Sequence, residues 1–421
     1  MLSFRPTRLG WMPTTCIYLC VGFLVLGSLP ACDLFEKSNP STSLRLGDLN
    51  WKKTLVYDEV DNTQPRLVEG VAYVAADHHL SAYDVETGDR LWQSTPLRSR
   101  GRIFGKTVLH DDGTLFLNDV NVIRGFDAST GTVLWKTVIP EYRTLGGNTM
   151  GESGDYLYVG GDRELVEISK IDGAITRRFP FGTDLRPSTN HEVEDPVHSS
   201  DGIIYLPVAM YRDDAPTTEG RVHAFDPETE EIIWTYETPT TYQESQGMAE
   251  RASTSSTADS LRSSGAVYGL AVSADYVVAP SGQLLTALDR RTGEVVWQRT
   301  YTDTGFDYGA TISEGVVYVG SVGERVYAVE LDTGRQLWDA YSPGSITTIL
   351  TVKDDYVYLC NEAGGQIWVF DKRTGETVWN SFPPGHRQND YLTYLSPLGV
   401  GEKYMVNVGS REIYALKRTN D

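Results

Sequence analysis

The stretch Ala82-Tyr-Asp84-Val-Glu-Thr87-Gly88-Asp-Arg-Leu-Trp92 sets the pattern for most of this chain. We number its positions as slots 1 to 11 of a repeat frame. Slot 1 is small, slot 3 acidic, slot 6 Thr, slot 7 Gly and slot 11 Trp. The frame predicts two strands joined by a tight turn, in which Gly supplies a backbone angle that other residues resist. The Asp and Thr side chains can hydrogen-bond the turn backbone, and the Trp covers a large apolar area.

The repeat frame returns along the chain. Its acidic, glycine and tryptophan slots are filled in turn by Asp127, Gly131 and Trp135; Asp226 and Trp234; Asp289, Gly293 and Trp297; Gly334 and Trp338; and Asp371, Gly375 and Trp379. Glu230 occupies one glycine slot and Glu330 one acidic slot. A degenerate copy has Glu167 in slot 1, Gly173 in slot 7 and Arg177 in slot 11. We interpret all these residues as structural, because they recur at every predicted turn.

The spacing of slot 11 indicates the architecture. It recurs every 41 to 43 residues, apart from two intervals of 57 and 63 residues that hold insertions at 190–220 and 238–264. A period near 42 with four short strands is typical of a propeller blade. The last copy begins at Ala415 and lacks its final strand, whereas Trp51 lies 41 residues before Trp92 as an orphan final strand. We therefore predict an all-β, eight-bladed β-propeller of four-stranded antiparallel blades, closed by the N-terminal strand completing the C-terminal blade.

This repeat resembles that of the PQQ-like, or quinoprotein-dehydrogenase-like, propellers over about residues 47–421. The resemblance implies the fold, but both quinone-dependent enzymes and cofactor-free scaffolds carry the repeat. For the enzymes it implies a quinone held with a calcium or lanthanide ion, a catalytic Asp and often a vicinal disulfide. This sequence has no adjacent cysteines and no CxxCH haem motif. We predict no catalytic residue, no cofactor and no enzymatic activity, and the alternative is a PQQ-dependent dehydrogenase.

The first 31 residues have the pattern of a signal peptide. Arg5 and Arg8 precede an apolar run over residues 17–27, which is short for a bilayer span but suits a signal-peptide core. The run ends in Leu-Pro-Ala-Cys32, which looks like a bacterial lipobox. We predict a lipoprotein signal peptide at 1–31, lipidation of Cys32, a flexible tether at 32–46 and the propeller at 47–421. The alternatives are a plain secretory peptide or an uncleaved anchor.

The charge and the cysteine content argue against a nucleic-acid partner and against a disulfide-linked fold. The net charge is −20, and it becomes −22 without Arg5 and Arg8, which argues against a nucleic-acid partner. Cys16 and Cys20 leave with the signal peptide, so Cys360 is the only cysteine besides Cys32. We expect it to be a small buried hydrophobe, and no disulfide framework is available within a monomer.

The first insertion is the one place where metal-ligand types cluster. The residue types suit a divalent ion, but the spacing matches no metal motif and a proline interrupts the run. We predict a solvated acidic loop and no metal site at His191, Glu192, Glu194, Asp195 and His198. The insertion at 238–264 is rich in Ser and Thr; we leave open whether it binds a partner or is only tolerated.

Together these features favour an interaction scaffold. A lipid-anchored, eight-bladed propeller without cofactor cysteines is similar to the BamB family of lipoproteins. That resemblance implies envelope protein partners, among them a β-barrel insertase, for a monomeric propeller held to the membrane by its N-terminal lipid. It favours the periplasmic side of the outer membrane, and Asp33 makes the inner membrane the alternative. A ligand-binding or sensory envelope lipoprotein is a further alternative function.

Overall fold

The structure, a computed structural model, describes most of the chain from Leu44 onward. The described residues are 44–56, 64–97, 108–119, 121–139, 150–161, 164–181, 189–193, 197–198, 201–212, 219–239, 265–302, 304–306, 308–346, 348–361, 365–382, 397–409 and 412–420. They form strands and connecting turns, and no α-helix occurs among them.

Thirty-three strands are present in the described residues. In chain order they are β1 Leu44–Thr54, β2 Arg66–Val68, β3 Val71–Ala76, β4 His79–Asp84, β5 Arg90–Gln93, β6 Val108–Asp111, β7 Thr114–Asp119, β8 Val122–Asp127, β9 Val133–Val138, β10 Met150–Ser153, β11 Tyr156–Gly161, β12 Glu164–Ser169, β13 Ile175–Pro180, β14 Thr189–Val193, β15 Val197–His198, β16 Ile204–Arg212, β17 Glu219–Asp226, β18 Glu231–Glu237, β19 Ala271–Val272, β20 Tyr276–Ser281, β21 Leu284–Asp289, β22 Val295–Thr300, β23 Thr311–Ser313, β24 Val316–Gly320, β25 Arg325–Glu330, β26 Gln336–Tyr341, β27 Thr351–Lys353, β28 Tyr356–Cys360, β29 Ile367–Asp371, β30 Thr377–Ser381, β31 Gly399–Val400, β32 Tyr404–Val408 and β33 Glu412–Asn420.

These strands form eight antiparallel sheets, which are the blades of a propeller. Blades 1 to 7 follow the chain as β2–β5, β6–β9, β10–β13, β14–β18, β19–β22, β23–β26 and β27–β30. Blade 8, the closing blade, has the order β1-β33-β32-β31. The first strands of most blades, and β15 in blade 4, lie nearest the axis. β31 of the closing blade meets β2 of blade 1. The predicted fold class is therefore confirmed.

The N-terminal strand completes the closing blade as predicted. β1 pairs antiparallel with β33, from Leu44 opposite Asn420 to Thr54 opposite Glu412. Trp51 is buried and stands opposite Ala415, as Trp92 stands opposite Ala82 in blade 1. The first and last strands thus pair with each other, which removes the free edges that each would otherwise expose.

The two ends of the blades differ. We call the four strands of a blade a to d, from the axis outward. The a–b and c–d connections lie at one end, which we call the turn face, and the repeat frame makes its c–d turns there. The b–c and d–a connections join strand ends at the opposite end, the loop face. The b–c connection of blade 4 and the insertion at 238–264 follow β16 and β18, which both end at the loop face.

The core lies between blades rather than inside any one of them. Strands b and c bury nearly all their side chains, as in β3 and β4. One cluster joins Tyr73 and Leu80 of blade 1 to Leu117 and Phe126 of blade 2. Since each blade is one sheet thick, it can bury both faces only by stacking on two neighbours, so a closed ring is the stable form.

Two details of the sequence-based predictions need correction. Residues 189–193 and 197–198 form β14 and β15, so much of the predicted acidic loop is strand. β1 begins at Leu44, which places residues 44–46 of the predicted tether in the sheet. Residues 1–43 and 240–264 lie outside the described residues.

Candidate interaction surfaces and inter-blade seams

The tryptophans of slot 11 bind each blade to the next. Seven blades have a tryptophan at this position of strand d, and six of the seven indoles donate their N–H to the slot 4 carbonyl of the following blade. The donor–acceptor pairs are Trp51 with Val85 at 2.8 Å, Trp92 with Ala128 at 2.9 Å, Trp135 with Lys170 at 2.9 Å, Trp234 with Arg290 at 2.9 Å, Trp297 with Leu331 at 2.6 Å and Trp338 with Lys372 at 3.0 Å. The first of these pairs crosses the ring closure, so the N-terminal strand also joins the closing blade to blade 1.

The glycines of slot 7 make room for these tryptophans. Gly88 has a φ of +74°, and a Cβ added there would lie 2.5 Å from Cγ of Trp51. The same overlap recurs between each of Gly131, Gly173, Gly293, Gly334 and Gly375 and the tryptophan before it. At the seam from blade 7 to the closing blade, Gly47 lies against Trp379 instead. Slot 7 thus needs glycine for its backbone angle and for the close approach of the indole.

One seam uses ionic chemistry instead. Arg177, in slot 11 of blade 3, donates a hydrogen bond to the carbonyl of Pro227, which is slot 4 of blade 4. The guanidinium therefore reaches the same acceptor position that the indoles reach elsewhere. Its Nε also donates to Oε1 of Glu167 at 2.8 Å, and its side chain covers the ring of Phe179 at 5.1 Å. Arg177 is not a lost repeat position but a replacement donor.

Two other slots change together with Arg177. Glu167 occupies slot 1, where most copies have a small residue, and it is 1% exposed. It accepts hydrogen bonds from Tyr158 at 2.7 Å and Thr176 at 2.6 Å as well as from Arg177. Glu230 occupies slot 7 of blade 4 with φ +62°, and its charge acts on Arg177. We call Glu167, Arg177 and Glu230 the ionic seam.

The charges of the ionic seam stabilise one another. Burial acts to raise the pKa of Glu167, but the hydrogen bonds from Arg177, Thr176 and Tyr158 outweigh it and hold that pKa below its usual value. The hydrogen bond to Glu167 raises the pKa of Arg177. This arrangement is not predicted from the sequence above. The signal for it in the sequence is that slots 1, 7 and 11 depart from the repeat together at one predicted seam.

The acids of slot 3 hold the c–d turns. Oδ1 of Asp84 accepts the backbone N–H groups of Glu86 at 2.9 Å and Thr87 at 2.8 Å. Asp127, Asp226, Asp289 and Asp371 accept from the equivalent slots 5 and 6. These hydrogen bonds, first that of the slot 6 N–H, lower the pKa of Asp289.

Replacing Asp289 with Ala is expected to lower the free energy of unfolding by about 1 kcal/mol at pH 7, because a turn hydrogen bond is lost. A lowered pKa gives stability that is present above about pH 4 and is lost as pH falls through the folded value. The difference between wild type and variant should therefore shrink toward pH 2 to 3 in urea unfolding. Asp332→Ala, at an exposed slot 5, is the control. A difference that persists unchanged at low pH would contradict the assignment.

Gly334→Ala is expected to destabilise the protein by about 2 kcal/mol more than Gly315→Ala. Both glycines have positive φ, +69° and +76°, so backbone strain is matched between the two variants. A Cβ at Gly334 would lie 2.7 Å from Cδ2 of Trp297, whereas nothing lies within 4 Å at Gly315. Thermal melting of the two variants isolates the contact with Trp297. Equal losses would show that slot 7 needs glycine for its angle alone.

The outermost strand of every blade carries a β-bulge at slot 10. In blade 1, Ala82 pairs with Trp92 and Tyr83 with Arg90, which leaves Leu91 unpaired. The same shift leaves Leu134, Thr176, Ile233, Val296, Leu337 and Val378 unpaired, and Asn50 in the closing blade. The six aliphatic members are 39–54% exposed. A bulge there bends an edge that could otherwise pair with another strand.

Acidic side chains occur at every a–b turn of the turn face. Every a–b turn has at least one acid, namely Glu69, Asp112, Asp155, Asp201, Asp275, Glu314, Asp354 and Glu402. The slot 3 acids lie at the same end of the blades. Basic side chains pair with several of the a–b turn acids, as Arg290 does with Asp201 and Lys372 with Glu314.

The closing blade is held by a buried arginine. Arg418 is 2% exposed, and its Nε donates to the hydroxyl of Tyr358 at 2.6 Å. It also donates to the carbonyl of Glu402 at 2.8 Å and pairs with Asp354 of blade 7. Cys360 is buried nearby, and burial raises its pKa well above the usual range. Its thiol is therefore unreactive in the folded ring.

The described residues do not fit the metal and disulfide arrangement that the resemblance implies for dehydrogenases. Among them no group of three or more His, Cys, Asp or Glu side chains could hold a metal ion. Cys360 has no neighbouring cysteine in the sequence with which to form a vicinal disulfide. No helix in the described part of the chain is long and apolar enough to cross a membrane.

Eight four-stranded blades, docked through the slot 11 side chains, define a PQQ-like β-propeller. The match to known families covers residues 119–274 and 281–420. The chain belongs to the family described as outer membrane protein assembly factor BamB. No curated protein sequence matches the chain.

Solved structures share the fold at low sequence identity. BamB from Moraxella catarrhalis is 15% identical, with a TM-score of 0.62 over 89% of this chain and 99% of its own. A quinohemoprotein alcohol dehydrogenase from Pseudomonas putida HK5 is 12% identical, with a TM-score of 0.65 over 88% of this chain and 76% of its own. A computationally designed protein is 17% identical, with a TM-score of 0.57 over 86% and 98%. The fold alone is thus shared by an assembly factor and by enzymes.

Proposed function

We propose that this protein is a non-catalytic propeller lipoprotein that acts as a protein-interaction scaffold in the assembly of outer-membrane β-barrel proteins. The observation that carries the proposal is the BamB family match, which extends over blades 3 to 8 and part of blade 2. The tightly docked blades support it, because a rigid ring presents fixed rim and turn surfaces to a partner. The partners are envelope proteins, among them a β-barrel insertase.

The proposed function requires delivery to the envelope. We propose cleavage before Cys32, lipidation of that residue and location at the periplasmic side of the outer membrane. Cys32→Ser should move the protein from the membrane fraction to the soluble fraction. Cys360→Ser is the matched control, because this thiol is buried and should not affect location. A Cys32→Ser protein that stays in the membrane fraction would overturn the lipid anchor.

The scaffold role is tested by mild crosslinking of the tagged lipoprotein in cells, followed by purification and mass spectrometry. We expect enrichment of a β-barrel insertase over a tagged, unrelated lipoprotein. Deleting residues 240–264 asks whether the second insertion contributes to that contact. Enrichment of a different envelope complex, with no insertase, would remove the assembly role. Calcium-dependent binding of pyrroloquinoline quinone to the purified protein would contradict the non-catalytic assignment.

A further inference from the structure

One c–d turn of the turn face has an apolar tip. Slot 5 is the tip of this turn, and in blade 3 it is Ile171, whose side chain is 82% exposed. The other c–d turns of blades 1 to 7 carry charged or hydroxyl side chains at slot 5, namely Glu86, Ser129, Glu228, Arg291, Asp332 and Arg373. Single exposed aliphatic side chains are common, so the neighbours of Ile171 decide whether it belongs to a larger surface.

Exposed aliphatic side chains of blade 2 adjoin this tip. Leu134 is 54% exposed and Val133 is 37% exposed, and both directly precede Trp135 in the chain. Trp135 donates its indole N–H at 2.9 Å to the carbonyl of Lys170, the residue before Ile171. Leu134 and Ile171 therefore lie on the two sides of one seam, as chain neighbours of the two bonded residues. We call Val133, Leu134 and Ile171 the apolar seam patch.

The turns that carry the apolar seam patch are poor in charge. Slot 8 is charged in blades 1, 4, 5, 6 and 7, but it is Thr132 in blade 2 and Ala174 in blade 3. Lys136 and Asp172 are the exposed charges next to the patch in sequence, and they have opposite signs. Exposed aliphatic side chains in a region depleted of charge are typical of the centre of a protein–protein interface.

The charges within this seam are satisfied inside the ring. Oδ1 of Asp127 accepts four hydrogen bonds from the backbone and hydroxyl groups of slots 5 and 6 of its own turn. The ammonium group of Lys170 lies 2.7 Å from Oδ2 of Asp111 and 3.0 Å from Oε2 of Glu152. An apolar partner surface would therefore leave neither of these ions without its counterpart.

The neighbouring turn tips limit the size of the occupant. Glu86 of blade 1 and Glu228 of blade 4 are exposed acids at the tips on either side of blades 2 and 3. A lipid surface, which is broad and flat, would also meet these carboxylates, and burying them there is unfavourable. A compact protein surface can contact the seam between them.

We propose that the apolar seam patch docks an uncharged, apolar surface of a folded envelope protein, whose side chains pack on Leu134 and Ile171. The seam is held by the Trp135 indole and by the hydroxyl of Thr137, which donates to the Gly173 carbonyl, so docking has little of the ring to order. The inference rests on the proposed function, in which the partner that carries this surface is the β-barrel insertase.

The test compares two double variants of the tagged lipoprotein by crosslinking in cells and purification. Leu134→Asp with Ile171→Asp places two charges in the apolar seam patch. Val296→Asp with Leu337→Asp is the matched control, because these slot 10 side chains of blades 5 and 6 are 45% and 39% exposed and lie outside the patch. We expect recovery of the insertase to fall by about tenfold or more with the first variant and by less than about twofold with the second, because an apolar contact cannot solvate a buried carboxylate. Unchanged melting temperatures check that both rings are intact.

A photo-crosslinking residue at a turn tip locates the contact. p-Benzoylphenylalanine replaces Ile171 in one protein and Asp332, the equivalent tip of blade 6, in the other. We expect the insertase to crosslink at position 171 and not at position 332, through a peptide that is apolar and uncharged.

Several results would overturn the proposal. Unchanged recovery of the insertase with the first variant, or an equal loss with the control, removes the patch as its docking surface. A crosslink from position 171 to a second copy of this chain assigns the patch to self-association. Flotation of the purified protein with phosphatidylglycerol vesicles that is lost in the first variant assigns it to lipid. If the wild-type protein recovers no insertase, the assembly role falls, and the patch stands only if position 171 crosslinks an apolar peptide of another identified envelope protein.

Discussion

Replacing Arg177 with Ala is expected to lower the free energy of unfolding by about 3 kcal/mol. The change leaves the buried carboxylate of Glu167 without its cation and removes the donor to the Pro227 carbonyl. Losing one partner of a buried ion pair costs roughly 3–5 kcal/mol, and the lower end applies because the Arg177 side chain is 32% exposed. Urea unfolding at pH 7 measures the loss. Arg178→Ala, which removes an exposed pair with Glu164, is the control and should cost under about 1 kcal/mol.

The triple variant Glu167→Ala, Arg177→Trp and Glu230→Gly should recover most of that stability. It installs in one step the residues that the other seams use, and buried ionic groups can often be exchanged for packed apolar ones without loss. Arg177→Trp alone should be worse than the triple variant. The indole would then meet the Cβ of Glu230, and the Glu167 carboxylate would lose its cation. If the three substitutions proved additive, the slots would be independent and the ionic seam would not be a unit.

The ionic seam marks a limit of prediction from sequence. The period, the glycine angle and the indole are strong local signals, and they are enough to predict eight blades and their closure. Arg177 makes its copy of the repeat degenerate when slot 11 is compared by residue type. Slot 11 donates a hydrogen bond to the slot 4 carbonyl of the next blade, and both a guanidinium and an indole can be that donor.

The arrangement of the slot 10 residues on the outermost strands could not be predicted from the sequence. The sequence shows that slot 10 is apolar in most copies. The alternation of a strand predicts only that Leu91 and Trp92 point to opposite faces of the sheet. The bulge leaves Leu91 without a partner on the neighbouring strand, and this depends on register between strands c and d. Register is a non-local property, so residue spacing within one copy does not reveal it.

Removing β1 is expected to have the largest effect of all on stability. A protein that begins at Leu55 lacks Trp51 and every backbone hydrogen bond that β1 makes to β33. Loss of a buried Trp side chain alone costs roughly 3–5 kcal/mol. The closing blade would also expose the edge of β33, and its seam with blade 1 would lose the Trp51 contact to Val85. Circular dichroism melting should show a lower, broader transition than that of the chain beginning at Cys32.

The matched control for this deletion is a protein that begins at residue 44, which lacks only the preceding segment and should melt like the chain beginning at Cys32. Adding a synthetic peptide of residues 44–54 to the shorter protein should raise its melting temperature, because the vacant edge of β33 can pair with the missing strand. The same peptide with Trp51→Ala should restore less, since it cannot reach Val85 across the seam. If the protein beginning at Leu55 had the same melting temperature as the protein beginning at residue 44, the ring would be stable without β1. The ring would then be closed by contacts between the axial strands β31 and β2, and the tether would join it through a dispensable strand.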